Sequence, residues 1–251
     1  MPSYDPNGNE VGGGGGITIT NIPLGSRYIL STDSATTASY KFLSPTPQII
    51  LTGSGSYSPS NANVKYIKLR MVGGGAAGGQ GGTFATGGGG GGSGGFIEKY
   101  YLSSTYNYVT GGGGSINPSA TGNPGANTTW STTLGITDTA FGGAGGEGGG
   151  TITGGGNGGV TTQNITSFFG GFSILDMLGG DGNPSGTGIG GCGGSNPLGM
   201  GGRGGAINGS NASKKNGGFP SGYGSGGGAG SGANNSAPGS DGVIIIEEFY
   251  Y

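Results

Sequence analysis

Histidine is missing from this chain of 251 residues, and cysteine occurs once, as Cys192. Without imidazole, the usual proton acceptor for a serine or cysteine nucleophile is gone. One thiol excludes an intramolecular disulfide framework and any multi-cysteine metal site. Charge is scarce as well: nine Lys and Arg against eleven Asp and Glu leave a net charge of −2. That balance carries no basic footprint for nucleic acid. The longest aliphatic run, Val243–Ile246, is far short of a bilayer span, so no membrane insertion is expected. The N-terminal MPSYDPNGNE lacks an apolar core and does not read as a cleaved secretory signal.

What the chain has instead is glycine, at 71 of 251 positions, against about 7% in an average protein. Collagen is excluded, because there is no sustained Gly-X-Y register and the 12 prolines are too few. Hydrophobic residues make only 30% of the chain. Disordered chains that poor in apolar residues usually carry high charge and few aromatics. Here aromatics reach 9% and gather in a few stretches, which allows a small core.

The organising stretch is Val64–Val72, VKYIKLRMV. Ile67, Leu69 and Met71 alternate with Lys68 and Arg70, the period of a half-buried β-strand. GSGSYSP from residue 53 predicts a short strand with Tyr57 inward. Phe96–Leu102 and Tyr106–Thr110 read as two strands of a hairpin joined by SST. Asn127–Thr133 and Ile136–Phe141 also read as strands. Val243–Tyr251 is apolar on both faces, which marks a central strand. The island SFFGGFSILDML reads as a short helix or as a plug over the core. Upstream, residues 1–16 read as an arm expected to dock on a neighbouring subunit. ITITNI (17–22), Arg27–Leu30 and Ser39–Leu43 read as short strands, and a boundary falls near Thr52. The expected fold is all-β: a small, jelly-roll-like β-sandwich over 53–251, preceded by an N-terminal assembly region, 1–52. Long glycine tracts (73–93, 112–126, 142–240) join its strands.

Two readings of those tracts compete. Either they are flexible linkers, or they form helices of three residues per turn and about 3.1 Å rise that pack side by side. Ordering glycine costs the most backbone entropy, so packing has to return hydrogen bonds between neighbours. Only an absent side chain lets backbones approach that closely. Three residues per turn leaves side chains on the outward edge, written as GGX triplets. GGQGGT, GGAGGE, GGNGGV and GGRGGA follow that rule, and they favour packed polyglycine II. Gln80, Glu147, Asn157 and Arg203 then point outward.

GSGSYSP, NVKYIKLRMVGGGAAGG, GGFIEKYYLSSTYNYVTGGGG, GANTTW and DGVIIIEEFYY, in that order, resemble a glycine-rich domain of bacteriophage tail-fibre proteins and giant-virus particle proteins. The resemblance spans Thr52–Tyr251 and leaves Met1–Leu51 uncovered. It implies a structural or adhesive virion component with a β-sandwich and glycine-rich loops, and it brings no catalytic residues. Packed polyglycine helices also occur in tip adhesins of some tail fibres and in an arthropod antifreeze protein. This chain lacks their long regular register.

Other motifs carry little. No Lys follows a Gly, so there is no P-loop. Ser93 sits in a GxSxG pattern with no histidine to serve it. Asp181-Gly-Asn183 lacks the spaced ligands of a calcium loop. Glu247 and Glu248 face opposite ways on one strand, and one of them is expected to pair with Lys68 or Arg70. No enzyme, cofactor or metal site is therefore expected. The leading expectation is a structural subunit of a virion or extracellular fibre that associates with copies of itself through strand edges and glycine segments. A receptor-binding adhesin is the first alternative, with Lys214, Lys215, Phe219 and Tyr223 as candidate contacts for a host protein or glycan. An ice-binding polyglycine II protein is the second.

Overall fold

The structure is a computed structural model that describes residues 28–34, 37–42, 44–45, 48–82, 86–118, 121–149, 153–164, 172–186, 188–206, 216–232 and 235–250. It is all-β. A hairpin of β1 (Tyr28–Ser34) and β2 (Thr37–Phe42) precedes two facing sheets. The first sheet is built on β6 (Val64–Val72), with β7 (Phe96–Leu102) on one side and β15 (Val243–Tyr250) on the other. β12 (Phe172–Met177) extends it beyond β7. β3 (Ser44–Pro45) and β4 (Ile49–Leu51) pair with the far side of β15. The second sheet runs β5 (Ser54–Tyr57), β8 (Tyr106–Val109), β9 (Thr128–Thr132), β10 (Thr137–Ala140) and β11 (Thr161–Thr162). All pairings are antiparallel.

Alternation sets the core. Ile67, Leu69 and Met71 of β6 join Ile97 and Tyr101 of β7 and Ile244 and Ile246 of β15. They meet Tyr57, Tyr106, Trp130 and Ala140 of the second sheet. The rings of Tyr101 and Tyr106 touch edge-on at 5.6 Å, and Tyr106 stacks on Trp130 at 4.8 Å. A few aromatics fill the space between the sheets, each burying more area than an aliphatic side chain. The other face of β15 is apolar too, and Val243 and Ile245 lie with Val72, Phe96 and Leu198 in a second cluster. β15 is central, as its two apolar faces require. Tyr57 is buried. Arg70 pairs with Glu247 at 2.6 Å across the sheet.

Three readings change. Phe96–Leu102 and Tyr106–Thr110 do not form a hairpin. β7 and β8 belong to different sheets, and Ser103–Thr105 carries the chain across, so that Tyr101 and Tyr106 meet through the core. Within the island, residues 172–177 form neither a helix nor a plug but a strand at the sheet edge, and residues 167–171 lie outside the described residues. β3 and β4, upstream of Thr52, share the sheet with β15. Residues 1–16 and ITITNI lie outside the described residues.

Candidate functional site: the glycine lattice and its outer edge

The glycine tracts are enlarged hairpin loops. β6 and β7 are neighbours, yet the chain between them runs out along 73–82 and back along 87–95. The connections β8–β9 and β10–β11 do the same with 111–114 and 122–126, and with 141–149 and 153–160. Between β12 and β15 the chain makes three more such excursions, 179–186/189–195, 199–206/216–220 and 224–232/235–242.

Their hydrogen bonds have a period of three. In 73–82, Gly73, Ala76 and Gly79 donate to Gly95, Gly92 and Gly89. Gly74 and Ala77 donate to Ala126 and Asn123, and Gly75 and Gly78 to Ser240 and Ala237. Each successive residue thus addresses a different neighbour, the arrangement of polyglycine II. In 87–95, every N–H from Gly88 to Gly95 donates, in turn, to 224–230, 141–147 and 180–183. Its carbonyls accept from 73–79, 156–159 and 191–194. That segment therefore has six neighbours. So does 73–82, and so does 224–232, which bonds to 73–82, 87–95, 189–195, 199–206, 216–218 and 235–242. The three are mutual neighbours and form the lattice interior.

Side-chain size follows position. Up to Gln80, the three interior segments hold only Gly, Ala and Ser, and from Gly73 to Gly79 and Gly87 to Gly95 they are buried. A methyl on Gly90 would stand 1.9 Å from the Cys192 carbonyl oxygen, and one on Gly89 1.8 Å from that of Gly154. Outer segments carry larger groups once per turn. Glu147, Asn157 and Arg203 are exposed as the triplets predict, whereas Gln80 is only half-exposed.

At the perimeter, N–H groups have no further backbone to meet, and side chains of the adjacent segment cap them. Gly154 donates to Glu147 Oε2, Gly158 to Asp181 Oδ1 and Gly113 to Asp241 Oδ1, all at 2.7 Å. Gly142 donates to Asn127 Oδ1 at 3.1 Å, Gly201 to Ser195 Oγ at 2.9 Å and Gly204 to Cys192 Sγ at 3.4 Å. At Glu147, Asp181, Asp241, Asn127, Ser195 and Cys192 the outward side chain is thus an acceptor that closes the lattice edge. The sequence pattern showed which way it points but not what it bonds.

Of the candidate contacts, Phe219 is 77% exposed and Tyr223 36% exposed. They lie on the turn before 224–232, where β14 (Ser221–Gly222) pairs with β13 (Gly199–Met200). Met200, 71% exposed, adds an apolar group that sequence reasoning passed over. Asn196 Nδ2 holds the Tyr223 carbonyl at 2.9 Å. Lys214 and Lys215 lie outside the described residues. Ser93 is fully buried inside the lattice and donates to the Ser195 carbonyl at 3.0 Å, which removes it as a nucleophile. Asp181 is a cap. Among the described residues no group of three His, Cys, Asp or Glu is placed to hold a metal ion.

Two polar clusters sit inside the sandwich. Glu248 accepts from Tyr57 Oη at 2.7 Å and from the Ser60 N–H at 2.8 Å, and also from Ser60 Oγ. Burial and then the Glu248 carboxylate push the Tyr57 phenol up from its ordinary value. Asp138 accepts from Lys99 Nζ at 2.9 Å and Tyr101 Oη at 2.6 Å on Oδ2, and from the Asn164 N–H at 2.6 Å on Oδ1. Burial and Asp138 push the Tyr101 phenol well up, and burial takes Tyr106 to about 12. Compared with known proteins, the chain matches no family model and no curated sequence.

Proposed function

We propose that this protein is a rigid structural subunit of an extracellular or virion fibre, associating with copies of itself and performing no catalysis. The observation that carries the reading is the lattice interior. Three glycine segments with six neighbours each turn a core-poor chain into a solid body, a property suited to bearing load. The edge strand β12 supports self-association, since Ile174, Leu175, Met177 and Leu178 are exposed there. Exposed apolar edges pair readily with other strands. Electron microscopy of the purified protein, with sedimentation over a concentration series, tests it. Fibres or discrete oligomers are expected, and monomers at every concentration would overturn it.

A second reading, an adhesin, is favoured by the exposure of Phe219, Met200 and Tyr223 on two adjoining turns. Exchanging 219–223 for glycine and serine is expected to abolish cell binding if it holds. Undiminished binding would remove it. The ice-binding reading gains no support, because neighbouring outer segments present Asp181, Ile189, Cys192, Met200 and Arg203 with no repeated side chain.

A further inference from the structure

The Lys99–Asp138 pair joins the two sheets, with Lys99 on β7 and Asp138 on β10. Lys99 is 3% exposed and Asp138 fully buried. Two opposite charges taken out of water carry a desolvation cost that their attraction offsets only in part. Attack by a lysine Nζ requires that it first give up a proton, and the Asp138 carboxylate 2.9 Å away is the acceptor at hand. A desolvated lysine amine is a nucleophile.

The groups around Asp138 divide its oxygens by role. Oδ1 is held by the backbone N–H of Asn164, a donor placed for an oxyanion. Oδ2 faces Lys99 Nζ and the Tyr101 hydroxyl. Nζ also lies 5.3 Å from the Tyr101 ring centroid. We propose that Lys99 and Asp138 condense to an intramolecular isopeptide bond that staples the two sheets. Nζ attacks Cγ while Oδ1 takes the developing charge against the Asn164 N–H. Tyr101 relays a proton to Oδ2, and the Cγ–Oδ2 bond breaks. Oδ2 leaves as water with two of the three ammonium protons, and Nζ keeps the third as the amide hydrogen. Oδ1 becomes the amide carbonyl and Tyr101 regains its proton, so no oxidant or cofactor is needed. Fixed proximity replaces a bimolecular encounter, and exclusion of water from the core favours condensation over hydrolysis.

Intact-mass spectrometry of the full chain reads the outcome directly. The wild-type protein is expected to be lighter than its sequence by one water, and digestion is expected to give a branched peptide joining the segments around Lys99 and Asp138. Lys99→Arg is expected to restore the sequence mass. The Asp-Gly pairs Asp181–Gly182 and Asp241–Gly242 also lose water when they cyclise, and the arginine variant separates the two. A full sequence mass in the wild-type protein overturns the proposal. So does a water loss that persists in Lys99→Arg or maps to an Asp-Gly peptide.

Discussion

Replacing Gly90 by alanine tests the lattice at its centre. The added methyl would lie 1.9 Å from the Cys192 carbonyl oxygen and 2.4 Å from its carbon, both backbone atoms that cannot swing aside. Reaching ordinary contact requires opening the gap between 87–95 and 189–195 by about 1.5 Å. The bonds Gly191 N–H to Gly88 O and Gly194 N–H to Gly91 O, each 2.8 Å, do not survive such a displacement. Each buried donor left unpaired costs about 1–3 kcal/mol, so two of them cost about 2–6 kcal/mol. That is a large share of a typical stability of about 5–15 kcal/mol. Gly186 is the control, since a methyl there meets nothing within 4 Å and its φ is not positive. Gly186→Ala is expected to be neutral, or stabilising by about 0.4–1 kcal/mol through the unfolded chain. Urea unfolding followed by the fluorescence of Trp130, the single tryptophan, reads both midpoints. Gly90→Ala is expected to unfold at much lower urea or to fail to accumulate as soluble protein. Equal midpoints for the two variants would refute close packing of these backbones.

Amide hydrogen exchange gives a residue-level measure of the same order. The N–H groups of Gly88–Gly95, all bonded and buried, are expected among the slowest in the chain, exchanging only through global opening. Exchange in 88–95 as fast as in the exposed 133–135 turn would contradict the lattice. Alkali provides a third test. Tyr57, Tyr101 and Tyr106 stay protonated in the folded state above their ordinary value of 10.0, whereas unfolded tyrosines ionise there. The unfolded chain therefore gains from losing protons, and stability is full below about pH 10 and falls as pH rises through it. Urea midpoints measured across that range are expected to drop together with a late, cooperative rise in phenolate absorbance. A single gradual rise centred on about pH 10 and accounting for all 12 tyrosines would show exposed phenols.

Much of the sandwich was legible in the residues. The alternation of Ile67, Leu69 and Met71 set the inward face of β6, and the doubly apolar Val243–Ile246 marked a buried central strand. The GGX triplets announced a three-residue turn and the outward direction of Glu147, Asn157 and Arg203. These are local properties, because a side chain's direction follows from the period of its own backbone. Tertiary structure decided everything that depends on a partner. Periodicity cannot tell whether a three-residue link such as Ser103–Thr105 folds back or crosses to another sheet. Nor can it place Lys99 against Asp138, which meet only when the sheets face each other. The lattice is the clearest case. Gly88 bonds Gly230 and Gly89 bonds Glu147, and since glycine has no side chain to encode a partner, such neighbours follow from where the two sheets place the excursions. Composition made a close-packed glycine body possible, and the order of strands in two sheets chose which glycines lie at its centre.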